Sequence, residues 1–221
     1  MLNKIFPLCE FHDKIVVYIQ THSNFEFGLV SQAVCNALRF MEREYVLVIN
    51  MLDAEFEKGN LNLQKFWFYI QSTYKIFESL NGLVERLENK KGGAILSSLY
   101  QFLVTATDQQ ILQIYYFLLH KAIYPFLEML GKWIYYGLIE DQFDEFMIVE
   151  KGRDVNNKDN FDWDERYKIN DENVPSFLQR QAERILSTGK YLNVIIAYDK
   201  SRQCPYSSDL LQNLEEYLQK Q

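Results

Sequence analysis

The sequence predicts an all-α fold: an elongated array of antiparallel helical hairpins and bundles, with at most one short β-hairpin near 145–169. Three observations lead there. The 221 residues hold only 9 Gly and 4 Pro, about half the usual share, so long stretches lack the punctuation that turn-rich β folds need. Apolar side chains recur at steps of three and four through several long windows, the repeat of one helix face. A composition 48% hydrophobic, with 15 Tyr, 16 Phe and 3 Trp, supplies large side chains for a core. A folded chain of this size buries roughly 70% of its unfolded surface, so it needs neither disulfide nor metal to hold it.

The first clear helix runs from Gly28 to Glu57. Its seam is Val30, Val34, Ala37, Met41, Tyr45, Val48, Leu52 and Phe56, and Gly59-Asn60 ends it. The next seam is Leu63, Phe66, Ile70, Phe77, Leu80, Val84 and Leu87, interrupted only at Thr73. Two long amphipathic helices joined by a short loop are expected to pack as an antiparallel pair. Lys90-Lys91-Gly92-Gly93 is the next break, followed by a shorter apolar helix from Ala94 to about Val104. Asp108 is placed to cap the most hydrophobic segment, Ile111–Ile139, in which 21 of 29 residues are apolar or aromatic. His120, Lys121, Pro125, Glu128 and Lys132 interrupt it, so no uncharged run reaches the roughly 18 residues of a membrane span. The expectation is a helix buried on most sides, kinked or restarted at Pro125.

Residues 141–172 differ in character. They carry 11 Asp or Glu against 5 Lys or Arg, nearly the whole net charge of −7. Within this acidic insertion Glu145–Val149 reads as a short strand, and Arg166–Ile169 as its partner across an Asn- and Asp-rich loop. Pro175 then stands where a first helical residue belongs, ahead of a seam of Leu178, Ala182, Ile185, Gly189, Leu192 and Ile196. Gly189 either ends that helix or lets a neighbour approach closely, and the pattern continuing past it favours the second. A last amphipathic segment, 207–221, stops in mid-pattern, as in a piece of a longer chain.

The acidic balance removes the electrostatic footprint of a nucleic-acid binder and disfavours adsorption to anionic lipid. Cys9, Cys35 and Cys204 are few, odd in number and widely spaced, which reads as free thiols in a reducing compartment. Lys4, Pro7, Glu10, His12 and Asp13 break any signal-peptide pattern at the start. No HExxH, Cys/His cluster, P-loop or GxSxG is present, and the acidic run Asp159, Asp162, Asp164, Glu165 lacks the glycine and glutamate of a calcium loop. The sequence therefore assigns no catalytic residue, cofactor site or metal site. Adjacent aromatics on a helix cannot all face inward, so Phe68, Tyr69, Tyr135 and Tyr136 are candidate partner-binding residues. Asp162, Asp164 and Glu165 of the acidic loop join them as a candidate partner-facing surface.

Several stretches resemble one family. His120-Lys121-Ala122, Pro125 through Leu130, and Lys132-Trp133-Ile134-Tyr135-Tyr136-Gly137 are similar to the signature of the γ-tubulin complex components. Asp141 to Met147 resembles that family's acidic D-x-x-x-E-F-M turn. Phe27–Val30, Leu63–Gln71, Pro175–Leu178, Ile185–Val194 and Cys204-Pro205 are most similar to its component 2 branch. The resemblance covers nearly the whole chain. It implies part of the N-terminal helical domain of such a component, without the C-terminal domain that holds γ-tubulin. It also implies a structural scaffold that pairs laterally with component 3 and other components in microtubule nucleation at centrosomes, spindle poles or basal bodies, γ-tubulin itself being held elsewhere. The rival readings are a generic helical tethering or adaptor protein with other partners, and an enzyme whose residues are scattered over the fold.

Overall fold

The computed structural model describes residues 2–151 and 166–198. Among these residues lie six α-helices and one two-stranded sheet, so the chain is all-α with a small hairpin. The described residues divide into two compact units: 2–27, 31–90 and 98–122 belong to the first, and 28–30, 91–97, 123–151 and 166–198 to the second.

The first unit is built on α1 (Leu2–His22), most of α2 (Leu29–Glu57) and α3 (Leu63–Leu87). The later part of α4 (Gly92–Thr105) and the first half of α5 (Gln109–Tyr136) complete it. The expected α2–α3 hairpin is present: Tyr45 meets Phe77 with ring centroids 4.7 Å apart, and Glu55 pairs with Lys65 at 3.7 Å. Asn62 starts α3 by accepting the Lys65 N–H at 2.8 Å, as an N-cap side chain should. The closest helix neighbour of α3 is nonetheless α1, which the sequence reading passed over. α1 runs parallel to α3: Phe11 faces Tyr74, His12 faces Phe77, and His22 reaches the Glu88 carbonyl. Its inward stripe is Leu8, Ile15, Tyr18, Ile19 and His22, and Pro7 sits inside the helix without ending it.

Burial of the two long seams is uneven. Val34, Ala37 and Leu52 of α2 and Ile70, Phe77, Leu80, Val84 and Leu87 of α3 are buried, whereas Phe56 and Leu63, beside the connecting loop, are exposed. α5 departs further from expectation. Only one face is buried, through Tyr115, Leu118, Ala122, Phe126, Met129, Leu130 and Trp133, while Leu112, Tyr116, Tyr124 and Tyr136 are open to solvent. The helix also passes through Pro125 unbroken. Asp108 caps it as the sequence implies, accepting the Gln110 N–H at 2.9 Å.

The second unit gathers the first turns of α2 and α4, the second half of α5, the hairpin and α6 (Ala182–Tyr198). The strands are β1 (Ile148–Glu150) and β2 (Tyr167–Ile169), antiparallel with Val149 opposite Lys168. β1 starts three residues later than predicted because Glu145 is committed elsewhere. Its carboxylate is fully buried at the start of α2, accepting the Leu29 N–H at 2.6 Å and the Val30 N–H at 3.0 Å. A negative group there meets unpaired N–H donors and the positive end of the helix dipole. Gly28, at φ +91°, is what permits the approach, since a Cβ there would overlap the carboxylate. Gly92, at φ +48°, lies as close against the Glu145 backbone. The predicted break at Gly92-Gly93 is thus the first turn of α4.

α6 begins seven residues after Pro175. The intervening chain is held by α4, where the Ser97 hydroxyl accepts the Ser176 N–H at 2.9 Å, and it forms turns before the helix can start. Gly189 behaves as read: the Trp133 indole lies against it, and Trp133 Nε1–H donates to the Ile185 carbonyl at 2.8 Å. Tyr167 meets the same indole edge-on at 4.9 Å, so α5, α6 and β2 converge on one tryptophan.

Candidate interaction surfaces

Among the described residues no group of His, Cys, Asp and Glu is arranged to hold a metal ion, and no helix is long and apolar enough to cross a membrane. The strongly shifted titratable groups are interior ones. Burial pushes the Cys35 thiol up to about 11, and it raises the Tyr18 phenol as well. Both face the packed interior of the first unit. His22 is buried between Tyr18 and Phe27, with Nδ1 3.1 Å from the Tyr18 carbonyl and Nε2 3.2 Å from that of Glu88. This ring ties the end of α1 to the end of α3.

Several large apolar residues face outward. On α3, Phe68 is 74% exposed and stands edge-on to the partly exposed Tyr69, so the two make one aromatic patch on the first unit. Adjacent Trp67 is half-buried. On the second unit Tyr136 is exposed and Tyr135 half-buried. Asp162, Asp164 and Glu165 lie outside the described residues. The flanks of the acidic segment are architectural. Asp141 accepts the Phe143 and Phe146 N–H groups, Glu145 caps α2, and Phe146, Met147, Ile148 and Tyr167 are buried. The acidic turn and strand bases therefore belong to the core of the second unit.

Two exposed stripes escaped the sequence reading. α2 carries Phe40, Leu47 and Met51 outward beside its buried seam. α6 carries Tyr191, Val194, Ile195 and Tyr198 at helical spacing, opposite the face that packs on Trp133. The signal was present in both cases, but a helix apolar on two sides reads as one broad seam when each position is assigned to a single face.

What the folded residues define is a helical protein with large apolar side chains exposed on several of its helices. The family model described as "Gamma tubulin complex component N-terminal" matches residues 1–221. Gamma-tubulin complex component 2 of Mus musculus is 34% identical over 98% of this chain and 25% of its own length. Gamma-tubulin complex component 2 of Arabidopsis thaliana is 31% identical over 94% of this chain and 32% of its own. The spindle pole body component alp4 of Schizosaccharomyces pombe is 29% identical over 82% of this chain and 30% of its own. The chain belongs to the γ-tubulin complex component family, and it spans about a quarter to a third of the length of these relatives.

Proposed function

We propose that these residues act as a lateral scaffold within a γ-tubulin complex, pairing side by side with component 3 and fixing the spacing at which γ-tubulin is presented for microtubule nucleation. The observation that carries the reading is the exposure of large apolar side chains on regular helices, Phe68 and Tyr69 foremost, in a chain whose relatives are named as complex components. Burying about 800 Å² per partner requires broad helix faces of this kind. Tyr135, Tyr136 and the acidic residues Asp162, Asp164 and Glu165 are further contact candidates. The part proposed is structural: it involves no catalysis, cofactor, nucleic acid or membrane, and γ-tubulin is gripped by another part of the complex. The expected location is the cytoplasm and its microtubule organising centres, whether centrosome, spindle pole or basal body, in keeping with the naming of alp4 as a spindle pole body component.

Sedimentation velocity tests this. The chain is run alone, with the N-terminal half of a component 3, and with γ-tubulin. A one-to-one complex with component 3 and none with γ-tubulin is expected. No shift with component 3 would overturn lateral pairing, and a shift with γ-tubulin would overturn the assignment of its grip to another part.

A further inference from the structure

His22, the last residue of α1, stands in an arrangement that only one protonation state satisfies in full. Its Nδ1 lies 3.1 Å from the Tyr18 carbonyl and its Nε2 3.2 Å from the Glu88 carbonyl. A carbonyl oxygen accepts and never donates, so each ring nitrogen needs a proton of its own. Neutral imidazole has only one, and its other nitrogen would turn a lone pair toward an oxygen lone pair. Imidazolium carries both.

The surroundings favour the charged ring. α1 and α3 run parallel and both end here, so the negative ends of two helix dipoles meet at the imidazole. The Glu88 carbonyl, just past Leu87, is of the kind that a helix end leaves without an intrahelical donor. Tyr18 stacks on the ring with centroids 4.1 Å apart, and Phe27 meets it at 4.5 Å, two aromatic rings within cation–π range. Burial opposes the charge, and the two hydrogen bonds offset that cost. The titratable and charged groups around the ring are Asp13, Lys14 and Tyr18 on α1, Cys35 and Arg39 on α2, and Glu85 and Glu88 on α3. Lys14 pairs with Glu85 at 2.7 Å, and Arg39 donates to the Ser23 hydroxyl at 2.6 Å. Burial raises both the Tyr18 phenol and the Cys35 thiol, which keep their protons well past neutrality. Within this set, imidazole is the chemistry that changes charge near neutral pH.

We propose that His22 is a proton-operated clasp. Doubly protonated, it fastens the end of α1 to the end of α3; loss of either ring proton, to water in the groove of about 440 Å³ beside it, undoes one of the two bonds. Closure and proton binding are linked, so what holds the clasp shut also holds the proton. The imidazole of an unfolded chain sheds its second proton near about 6.5. The clasp's contribution to stability is therefore complete below that value and lost as the pH rises above it.

Two measurements on the 221-residue chain test this. With nitrogen-15-labelled histidine, NMR at about pH 6 is expected to show two slowly exchanging ring N–H protons on His22, assigned by their loss in His22→Gln. A bare ring nitrogen on His22 at that pH would overturn the clasp, whatever the variants do. Urea unfolding is then followed from about pH 5.5 to 8.5 for wild type and His22→Gln, whose amide does not titrate. His12 and His120 are present in both chains and cancel in the difference. Wild type is expected to lose stability relative to the variant as the pH rises, by up to about tenfold in the folding constant per pH unit. Parallel curves would overturn the link between proton and fold. His22→Arg keeps a charge and several donors at every pH, so its stability is expected to stay level where wild type declines. A decline equal to that of wild type would trace the effect to another group and overturn the proposal.

Discussion

Gly189→Ala is the sharpest probe of the second unit, because two effects of known size oppose each other there. Alanine is favoured over glycine inside a helix by about 1 kcal/mol. Against that, the new methyl group would overlap Cε2, Cζ2 and Cδ2 of Trp133, which is fully buried and cannot swing aside. Overpacking of this kind costs about 1–3 kcal/mol. If the indole moves, its bond to the Ile185 carbonyl goes as well, leaving a buried donor unmet for about another 1–3 kcal/mol. With both costs incurred and the helix gain subtracted, the net expectation is destabilisation of about 1–5 kcal/mol. Gly131→Ala on α5 is the control: a Cβ there meets nothing within 4 Å, so up to about 1 kcal/mol of stabilisation is expected. Urea denaturation followed by circular dichroism at 222 nm reads both. If Gly189→Ala matched or exceeded wild type, the close approach of Trp133 to α6 would be refuted.

Three further outcomes are expected. Glu145→Ala should cost about 2–4 kcal/mol by stranding the Leu29 and Val30 N–H groups, and Glu145→Gln distinctly less, both read from urea midpoints. Alkali should weaken the fold. The unfolded Cys35 thiol gives up its proton near 9 while the folded one holds it to about 11, so stability falls as pH rises through that window. Cys35→Ala should flatten the slope of midpoint against pH, and an unaltered slope would remove Cys35 as its source. Lys14 and Glu85 pair at 2.7 Å at an exposed site; their mutual hydrogen bond raises the Lys14 pKa and, with the Asn81 amide, lowers that of Glu85. Any contribution from Glu85 is present above the ordinary carboxylate range and lost as pH falls through its lowered value. A double-mutant cycle with Lys14→Met and Glu85→Gln should return a weak coupling that vanishes in high salt.

How far the sequence revealed this fold depended on what each residue answers to. The three-four spacing of α2, α3 and α5 reflects a local geometric repeat, so those helices and the cap at Asp108 were legible, whereas the cap at Asn62 was not read. α1 was hidden by Pro7, although Leu8, Ile15, Tyr18 and Ile19 carry the same spacing. The start of β1 was misjudged because Glu145 answers to a helix more than a hundred positions earlier, which no local pattern records. The late start of α6 has a similar origin in Ser97. Of the candidate contacts, Phe68, Tyr69 and Tyr136 are exposed and Tyr135 is half-buried, because a run of adjacent aromatics covers more of a helix than its inward face. The outward Phe40, Leu47 and Met51 of α2 were missed because they flank a seam already taken as the helix's one apolar face, a seam in which Ala37 is indeed buried.

The Glu145 carboxylate has a consequence for the order in which the chain acquires its shape. The amide it serves at Leu29 precedes it by 116 residues. A ribosome adding roughly 5–20 residues per second needs on the order of ten seconds to cover that distance. For that interval the first turn of α2 has emerged without the acid that completes it, while the hairpin of α2 and α3 has all of its own residues in hand. The nascent chain is therefore expected to mature from its middle outward, with the opening turn of α2 fastened last. A stalled chain ending before Glu145 should show protected amides in α3 and open ones at Leu29 and Val30.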